Sequence, residues 1–286
     1  MENAVQTISA LRRRLTEFLI SEHVDEAQCI ARDLLCDTLQ LSVTQLFTSF
    51  DTVIENEVAT EIMNMAKRIV RGEPLQYVTG KSFFMGNVFR VRPGVLIPRP
   101  ETAELVSWIA NVYRDKQFSL LDIGTGSGCI ALSVNILCKN SAVTAIDVSS
   151  DALDVAKENA RLLNVDAEFF NANIFSELHF SRKFDVVVSN PPYVRESEKI
   201  EMQSNVLDYE PHIALFVPDD DALKFYRRIA QLSMNELLVN GGNLFFEINA
   251  AFGNEICEML RDMGFRNVEL RKDINGRDRM ICAQRP

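Results

Sequence analysis

Apolar residues recur at three- and four-residue steps through the first eighty positions of the chain. Val5, Ile8, Leu11, Leu15 and Phe18 fall on one helical face, and Ala27, Ile30, Ala31, Leu34 and Leu35 fall on another. Ser42-Val43-Thr44-Gln45 has the spacing of a capping box and opens a third segment. Asp51 is placed to cap a longer helix through Val53, Ile54, Val58, Ile62, Met63 and Ile69, which Gly72 and Pro74 stop. Residues 1–80 therefore read as a helical module. The pattern then changes. Over 81–97 it alternates as a hairpin, with Phe83 and Phe84 on one arm, Met85-Gly86-Asn87 as the turn, and Val88 to Val91 on the other. Pro98 and Pro100 stiffen the connection to a helix over 101–113, with Pro100 suited to its first residue.

From residue 98 to the end, apolar runs of strand length alternate with helical periods. Strands are expected at 118–123, 142–147, 167–171, 184–189, 243–248, 266–271 and 279–284. Helices are expected at 129–137, 151–163, 220–238 and 254–263, with the acidic run Asp219 to Asp221 as the N-terminal cap of the third. Such alternation means a parallel sheet with helices on both faces, and ligands that lie beyond the C-terminal ends of the strands. Asn275-Gly276, inside the connection 273–278, turns the last two strands into a hairpin. The sequence holds no internal repeat and no low-complexity tract.

Composition narrows the function classes. At 286 residues, 47% hydrophobic and 24% charged, the chain has the make-up of a soluble protein with one full core and room for a second small domain. No apolar run reaches the roughly 18 residues of a membrane span, and Arg12-Arg13-Arg14 interrupts any signal-peptide pattern, so a cytoplasmic protein is expected. The six cysteines are scattered without a C-x-x-C, and His23, His179 and His212 do not pair with them at ligand spacing. Reduced thiols are expected, and no metal. Forty acidic residues against 30 basic ones give a net charge of −10, which weighs against a protein whose work is gripping duplex DNA. The basic clusters at 12–14 and 266–279 read as solvated faces, or as contacts to ribosomal RNA or a partner protein.

Two stretches carry candidate chemistry. In the first, the strand 118–123 breaks into Gly124-Thr125-Gly126-Ser127-Gly128 before a helix resumes. Glycines there allow close backbone approach to a ligand, but the third comes one residue earlier than in a dinucleotide fingerprint. Asp122 is positioned to hold a cationic amino group, and Asp147, ending the next strand, to take both hydroxyls of a ribose. In the second, the strand 184–189 runs into Asn190-Pro191-Pro192-Tyr193. Two prolines fix the backbone and remove two N–H donors, leaving a rigid rim with a carboxamide, carbonyl acceptors and an aromatic face. A planar NH2 group suits such a rim, because the acceptors take its hydrogens and turn its lone pair toward an electrophile. Alone, each feature reads equally as an ordinary glycine turn or a Pro-rich turn.

Together, in this order, they resemble the class I S-adenosylmethionine-dependent methyltransferases of the amino-methylating branch. The motifs Arg71-Gly72-Glu73-Pro74-Leu75-Gln76-Tyr77-Val78-Thr79-Gly80, Leu96-Ile97-Pro98-Arg99-Pro100-Glu101-Thr102, Asn190-Pro191-Pro192-Tyr193 and Tyr209-Glu210-Pro211 are similar to those of the peptide-chain release-factor glutamine N5-methyltransferases, over roughly residues 55–285. The resemblance implies an α/β fold of the Rossmann-like class I type: a mostly parallel seven-stranded sheet with an antiparallel last strand, plus the small N-terminal helical domain. It implies methyl transfer from S-adenosyl-L-methionine to the glutamine amide nitrogen of a Gly-Gly-Gln motif in class I release factors.

By the same resemblance, Gly124, Thr125, Gly126, Ser127 and Gly128 hold the methionine end of the cofactor and Asp147 its ribose. Asn173 stands where relatives commonly place an aspartate against the adenine, and Ile174 where some carry an aromatic. Asn190, which also meets the cofactor, and Pro191 accept hydrogen bonds from the substrate amide, and Tyr193 packs on its plane, with Pro192 completing the rim. Arg99 and Glu101 either shape the substrate mouth or form an internal ion pair. Residues 1–80 recognise the partner, 81–97 form a linking hairpin, and 98–286 form the methyltransferase domain. Three other readings use the same residues: methylation of a ribosomal-protein glutamine, N6-methylation of adenine in nucleic acid, and a non-catalytic adaptor.

Overall fold

The structure is a computed structural model that describes residues 6–286; Val5, assigned above to the first helical face, lies outside the described residues. The chain divides into two units. One runs through Lys81 and includes Gln203–Tyr209, and the other comprises Ser82–Met202 and Glu210–Pro286.

In the first unit, strand β1 (Gln6–Thr7) leads into α1 (Ile8–Ser21), followed by α2 (Ala27–Leu39) and α3 (Val43–Thr48). The Ser42/Gln45 capping box is formed: the Gln45 N–H donates to Ser42 Oγ at 3.2 Å, and the Ser42 N–H to Gln45 Oε1 at 2.9 Å. Val53 and Ile54 then depart from the expected helix. They form β2 (Val53–Ile54), antiparallel to β1, with Thr7 opposite Val53. Two β-branched residues in succession favour the extended chain once a partner strand is available. Asp51 therefore caps nothing, and α4 (Asn56–Val70) starts later, with Glu55 as its N-cap. Leu11, Leu15, Leu19, Leu34, Leu35, Leu46 and Ile62 are fully buried between the helices. A short α5 (Leu75–Thr79) closes the unit.

In the second unit, β3 (Lys81–Phe84) and β4 (Asn87–Arg90) pair across Met85-Gly86. Next comes α6 (Thr102–Tyr113), with Glu101 as its N-cap; Pro100 stands outside the helix it was expected to open. The alternating region follows as β5 (Phe118–Ile123), α7 (Cys129–Leu137), β6 (Ser141–Asp147), α8 (Ser150–Leu163), β7 (Ala167–Asn171) and β8 (Phe184–Ser189). The stretch between 194 and 219, left without elements in the sequence reading, holds β9 (Val194–Arg195), α9 (Ser204–Tyr209) and β10 (Phe216–Val217). Of these, β9 and β10 pair in parallel, and α9 belongs to the first unit. The last elements are α10 (Lys224–Leu232), β11 (Leu238–Glu247), α11 (Gly253–Asp262), β12 (Arg266–Lys272) and β13 (Asp278–Gln284).

Seven strands form one sheet in the order β12-β13-β11-β8-β5-β6-β7, parallel except for β13, which runs antiparallel to both neighbours. This is the class I methyltransferase arrangement. Side chains alternate between two cores. Val186 and Val188 pack with Trp108 of α6 and Ala131 of α7, while Val187 packs with Ile229 of α10 and Leu260 of α11. The helix expected over 220–238 is shorter, because α10 begins at Lys224 and ends in a π-turn at Ser233–Leu237. Asp219 caps no helix; its Oδ1 accepts from the Ser197 N–H and hydroxyl at 3.0 and 2.7 Å. A bulge between Leu238 and Asn243 delays the regular register of β11. Gly242 permits it, since a Cβ there would sit 3.0 Å from the Asp185 and Val239 carbonyls. No described helix is long and apolar enough to cross a membrane.

Candidate functional site

The site begins where β5 ends. The N–H groups of Gly124 and Thr125 both donate to the Ile146 carbonyl, at 2.9 and 3.0 Å, so the glycine loop is tied to β6 as it leaves the sheet. Gly126 (φ +56°) and Gly128 (φ +82°) lie in the left-handed region that disfavours a side chain. They differ in surroundings. A Cβ on Gly126 would meet nothing within 4 Å, so its face is open, whereas one on Gly128 would press on Leu132 and Ala156 at 3.1–3.3 Å. Gly128 is thus the packed start of α7, while Gly124 and Gly126 leave the loop's face open and Thr125 and Ser127 between them are buried.

Asp147 closes the cradle from β6. Its Oδ2 accepts the Gly126 N–H at 2.9 Å and its Oδ1 the Ser149 N–H at 2.9 Å. Burial raises its pKa, opposed by those backbone hydrogen bonds. Asp122 is not on the open side of the loop. It is fully buried, accepts from the Thr125 hydroxyl at 2.7 Å, and burial pushes its pKa up to about 7. The expectation that it would hold a cationic group directly is replaced by a role behind the loop. Asn159 was not foreseen. Buried in α8, it donates to the Ser127 carbonyl at 2.9 Å and exchanges hydrogen bonds with the Arg90 backbone, fastening the loop to β4. Its sequence signal was a lone asparagine on the apolar face of an otherwise amphipathic helix.

These groups open on a cavity of about 350 Å³, a size suited to a small-molecule site. Gly124, Thr125, Gly126 and Ser127 line it together with Asp147, as do Asn173, Ile174 and Arg99, and Asn190, Pro191 and Pro192. Gly128, Glu101 and Tyr193 are not among the lining residues. Asn173 makes a tight turn, its Oδ1 accepting the Phe175 N–H at 2.9 Å. Phe175, passed over in the sequence, lines the cavity one residue beyond Ile174, where relatives' aromatic was sought. Its ring meets Phe225 edge-on at 5.3 Å.

At the rim, the Ser189 hydroxyl donates to the Ile123 carbonyl at 2.7 Å, locking the end of β8 to β5. Asn190 Nδ2 donates to Thr102 Oγ1 at 3.5 Å. Tyr193 is half-buried: its ring packs against the core that includes α10 and α11, and its hydroxyl donates to Glu247 Oε1 at 3.3 Å. Burial raises the Tyr193 pKa, reinforced by the Glu247 charge. Arg99 resolves as an ion pair, though not with Glu101. Its Nη2 is 2.6 Å from Oε1 of the buried Glu210, whose Oε2 accepts the Ile97 N–H at 3.2 Å. That explains why Tyr209-Glu210-Pro211 accompanies Pro98-Arg99-Pro100 in the sequence. All six cysteines are free thiols. Among the described residues, no group of three or more His, Cys, Asp or Glu is placed to hold a metal ion.

Comparison with known proteins agrees with this geometry. The family model of the methyltransferase small domain matches residues 102–208, and that of the PrmC N-terminal domain matches residues 10–80. The release factor glutamine methyltransferase of Bacteroides thetaiotaomicron is 44% identical over 262 residues, covering 91% of this chain and 94% of that protein. Its counterpart in Flavobacterium psychrophilum is 46% identical over 246 residues, 85% of this chain and 86% of that one. A solved methyltransferase from Pyrococcus furiosus, 18% identical, shares the fold with a TM-score of 0.53 over 77% of this chain and 98% of its own. The chain belongs to the release factor glutamine methyltransferase family.

Proposed function

We propose that this protein methylates the side-chain amide nitrogen of the glutamine in the Gly-Gly-Gln motif of class I peptide-chain release factors, with S-adenosylmethionine as methyl donor. One observation carries the reading: the open glycine cradle with Asp147 and the Asn190-Pro191-Pro192 rim line the same cavity. The residues present fit the cofactor. The face of Gly126 is open, and Asp147 offers further lone pairs on both oxygens beside it. The bound cofactor supplies an electrophilic methyl carbon.

Everything else is positioning. Gly124 to Ser127 hold the methionine end and Asp147 the ribose, while Asn173, Ile174 and Phe175 surround the adenine. A glutamine nitrogen is a poor nucleophile because its lone pair is delocalised into the carbonyl. Asn190 Oδ1 and the Pro191 carbonyl each accept one of its N–H bonds, aiming the lone pair into the cavity. These hydrogen bonds strengthen as the nitrogen gains positive charge, so they stabilise the transition state more than the ground state. The surplus proton is acidic once the nitrogen is alkylated and leaves to solvent, so no histidine or lysine base is required. Fixing the two reactants in line supplies the larger part of the acceleration. Tyr193 supports the rim from behind through Glu247. Arg99, held by Glu210, shapes the mouth for the protein substrate, and the helical unit recognises the release factor in the cytoplasm.

The test offers labelled S-adenosylmethionine and the purified protein to four acceptors: a release factor, its Gly-Gly-Ala variant, the large-subunit ribosomal protein that carries a methylated glutamine, and duplex DNA. Label is expected in the first alone. Label in the Gly-Gly-Ala variant, or preference for the ribosomal protein or DNA, would replace this reading with one of the others.

A further inference from the structure

A carboxamide presents an acceptor at one end and a donor at the other. Only one of its two orientations at residue 190 gives the acceptor that the proposed reaction needs, and the inference here rests on that reading. Asn190 Nδ2 lies 3.5 Å from Thr102 Oγ1, and Thr102 Oγ1 lies 2.6 Å from Glu247 Oε2. Thr102 and Glu247 are 2% and 1% exposed, and Thr102 joins Asn190 in lining the cavity, with Glu247 behind it. A hydroxyl has one hydrogen, and a carboxylate has none to give. While Glu247 is ionised, Thr102 must donate its single hydrogen to Glu247 and can only accept from Asn190. The donor direction therefore runs from Asn190 to Thr102 to Glu247. The Asn190 NH2 is committed to Thr102, and Oδ1 is left for the cavity that Asn190 lines.

Protonation of Glu247 reverses the logic. A carboxylic O–H at Oε2 can donate to Thr102, whose hydrogen is then free to point at Asn190, and the amide can turn over. That would set an NH2 against the incoming substrate NH2. We propose that Glu247 is a positioning residue whose negative charge, passed through Thr102, sets the polarity of the Asn190 side chain.

Several titratable or charged groups face Glu247. Arg279 of β13, itself 3.2 Å from Asp273, favours the carboxylate. Tyr193 donates to the second oxygen, and Tyr226 of α10 donates to the Glu247 backbone carbonyl. Glu101 at the start of α6 opposes the charge, and the Cys129 thiol of α7 lies within its field. Burial is the largest influence and raises the Glu247 pKa above the ordinary carboxylate value. The orientation is therefore lost on acidification at a higher pH than an exposed glutamate would give.

The experiment uses the full-length protein with Thr102→Val, Thr102→Ser and Glu247→Gln. Thr102→Val is expected to lower kcat about 10- to 100-fold, the scale of a misdirected positioning group. Its dissociation constant for S-adenosylmethionine should stay within about twofold of wild type, and Thr102→Ser should recover kcat to within about threefold. Glu247→Gln should lower kcat and remove the acid limb of the kcat–pH profile. Equal kcat in the valine and serine variants, or an unchanged acid limb in Glu247→Gln, would overturn the proposal.

A readout independent of turnover separates this result from failure of the functional reading. In protein labelled with 15N-asparagine, the Asn190 side-chain NH2 signals, assigned by their loss in Asn190→Ser, should move in the valine variant and stay in the serine variant. In the wild type they should also move on acidification, and not in Glu247→Gln. Signals indifferent to pH in the wild type would refute the proposal even if a substituted protein failed to fold.

Discussion

The backbone N–H of Gly126 donates to Oδ2 of Asp147 at 2.9 Å, joining two motifs that lie 21 residues apart in the chain. The loop that would meet the methionine end of a cofactor is thus braced by the side chain that would meet its ribose.

Removing Asp147 should therefore act on cofactor affinity. Asp147→Ala deletes a charged acceptor and frees the Gly126 and Ser149 amides it now holds. A hydrogen bond to a charged group contributes about 1.5–3 kcal/mol, so S-adenosylmethionine should bind roughly 10- to 100-fold more weakly by calorimetry. Because burial raises the Asp147 pKa, wild-type affinity should also fade on acidification sooner than an exposed carboxylate would dictate. A variant that melts earlier yet binds the cofactor as before would leave Asp147 as a structural brace and favour the adaptor reading.

Asn190 should show the opposite division. Asn190→Ala removes the acceptor that, in the proposed reaction, holds the substrate amide as charge develops, and leaves the glycine cradle untouched. Turnover of a release factor should fall on the order of 10²–10³-fold, the scale of one oxyanion-type donor or acceptor. Cofactor affinity should change by no more than about twofold. Retained turnover would remove the hydrogen-bonding role assigned to this side chain.

The Arg99–Glu210 pair should bear on stability and, in the proposed reaction, on the substrate. Glu210 is buried with one oxygen on Ile97 N–H and the other on a guanidinium that is itself about one-third exposed. Its loss should fall between that of an exposed pair and that of a fully buried one, about 2 kcal/mol. Arg99→Ala should lower the calorimetric Tm by roughly 5 °C and raise KM for the release factor more than it lowers kcat. An Arg99→Ala protein with wild-type Tm and KM would show that the pair neither stiffens nor shapes the mouth.

These relationships explain which parts of the molecule could be read in advance. Strand–helix alternation, the glycine loop and the double proline are local patterns, and each placed its element within a few residues. What escaped depends on partners far along the chain. Val53 and Ile54 extend because Gln6 and Thr7 lie beside them. The Tyr193 hydroxyl finds a buried carboxylate 54 residues later, and Arg99 finds its partner 111 residues away. Asn159 took no part in the sequence reading, because its three backbone partners lie on other elements. Propensity and periodicity carry no information about such pairings.

The buried Asp122 gives a pH-dependent test of the loop's foundation. Its pKa in the fold is about 7, raised mainly by burial, against 3.8 for a free side chain. Between those values the folded state holds a proton that the unfolded chain has released, so stability declines as pH rises through this window. Asp122→Asn keeps the shape of a protonated aspartate and does not titrate. Relative to wild type, the variant should gain stability between pH 5 and pH 8, on the order of 2 kcal/mol. Denaturant unfolding at the two pH values measures that difference directly. A gap between the two proteins that stays constant from pH 5 to pH 8 would mean that Asp122 does not titrate in this range, and that Thr125 is held by a carboxylate whose charge burial does not suppress.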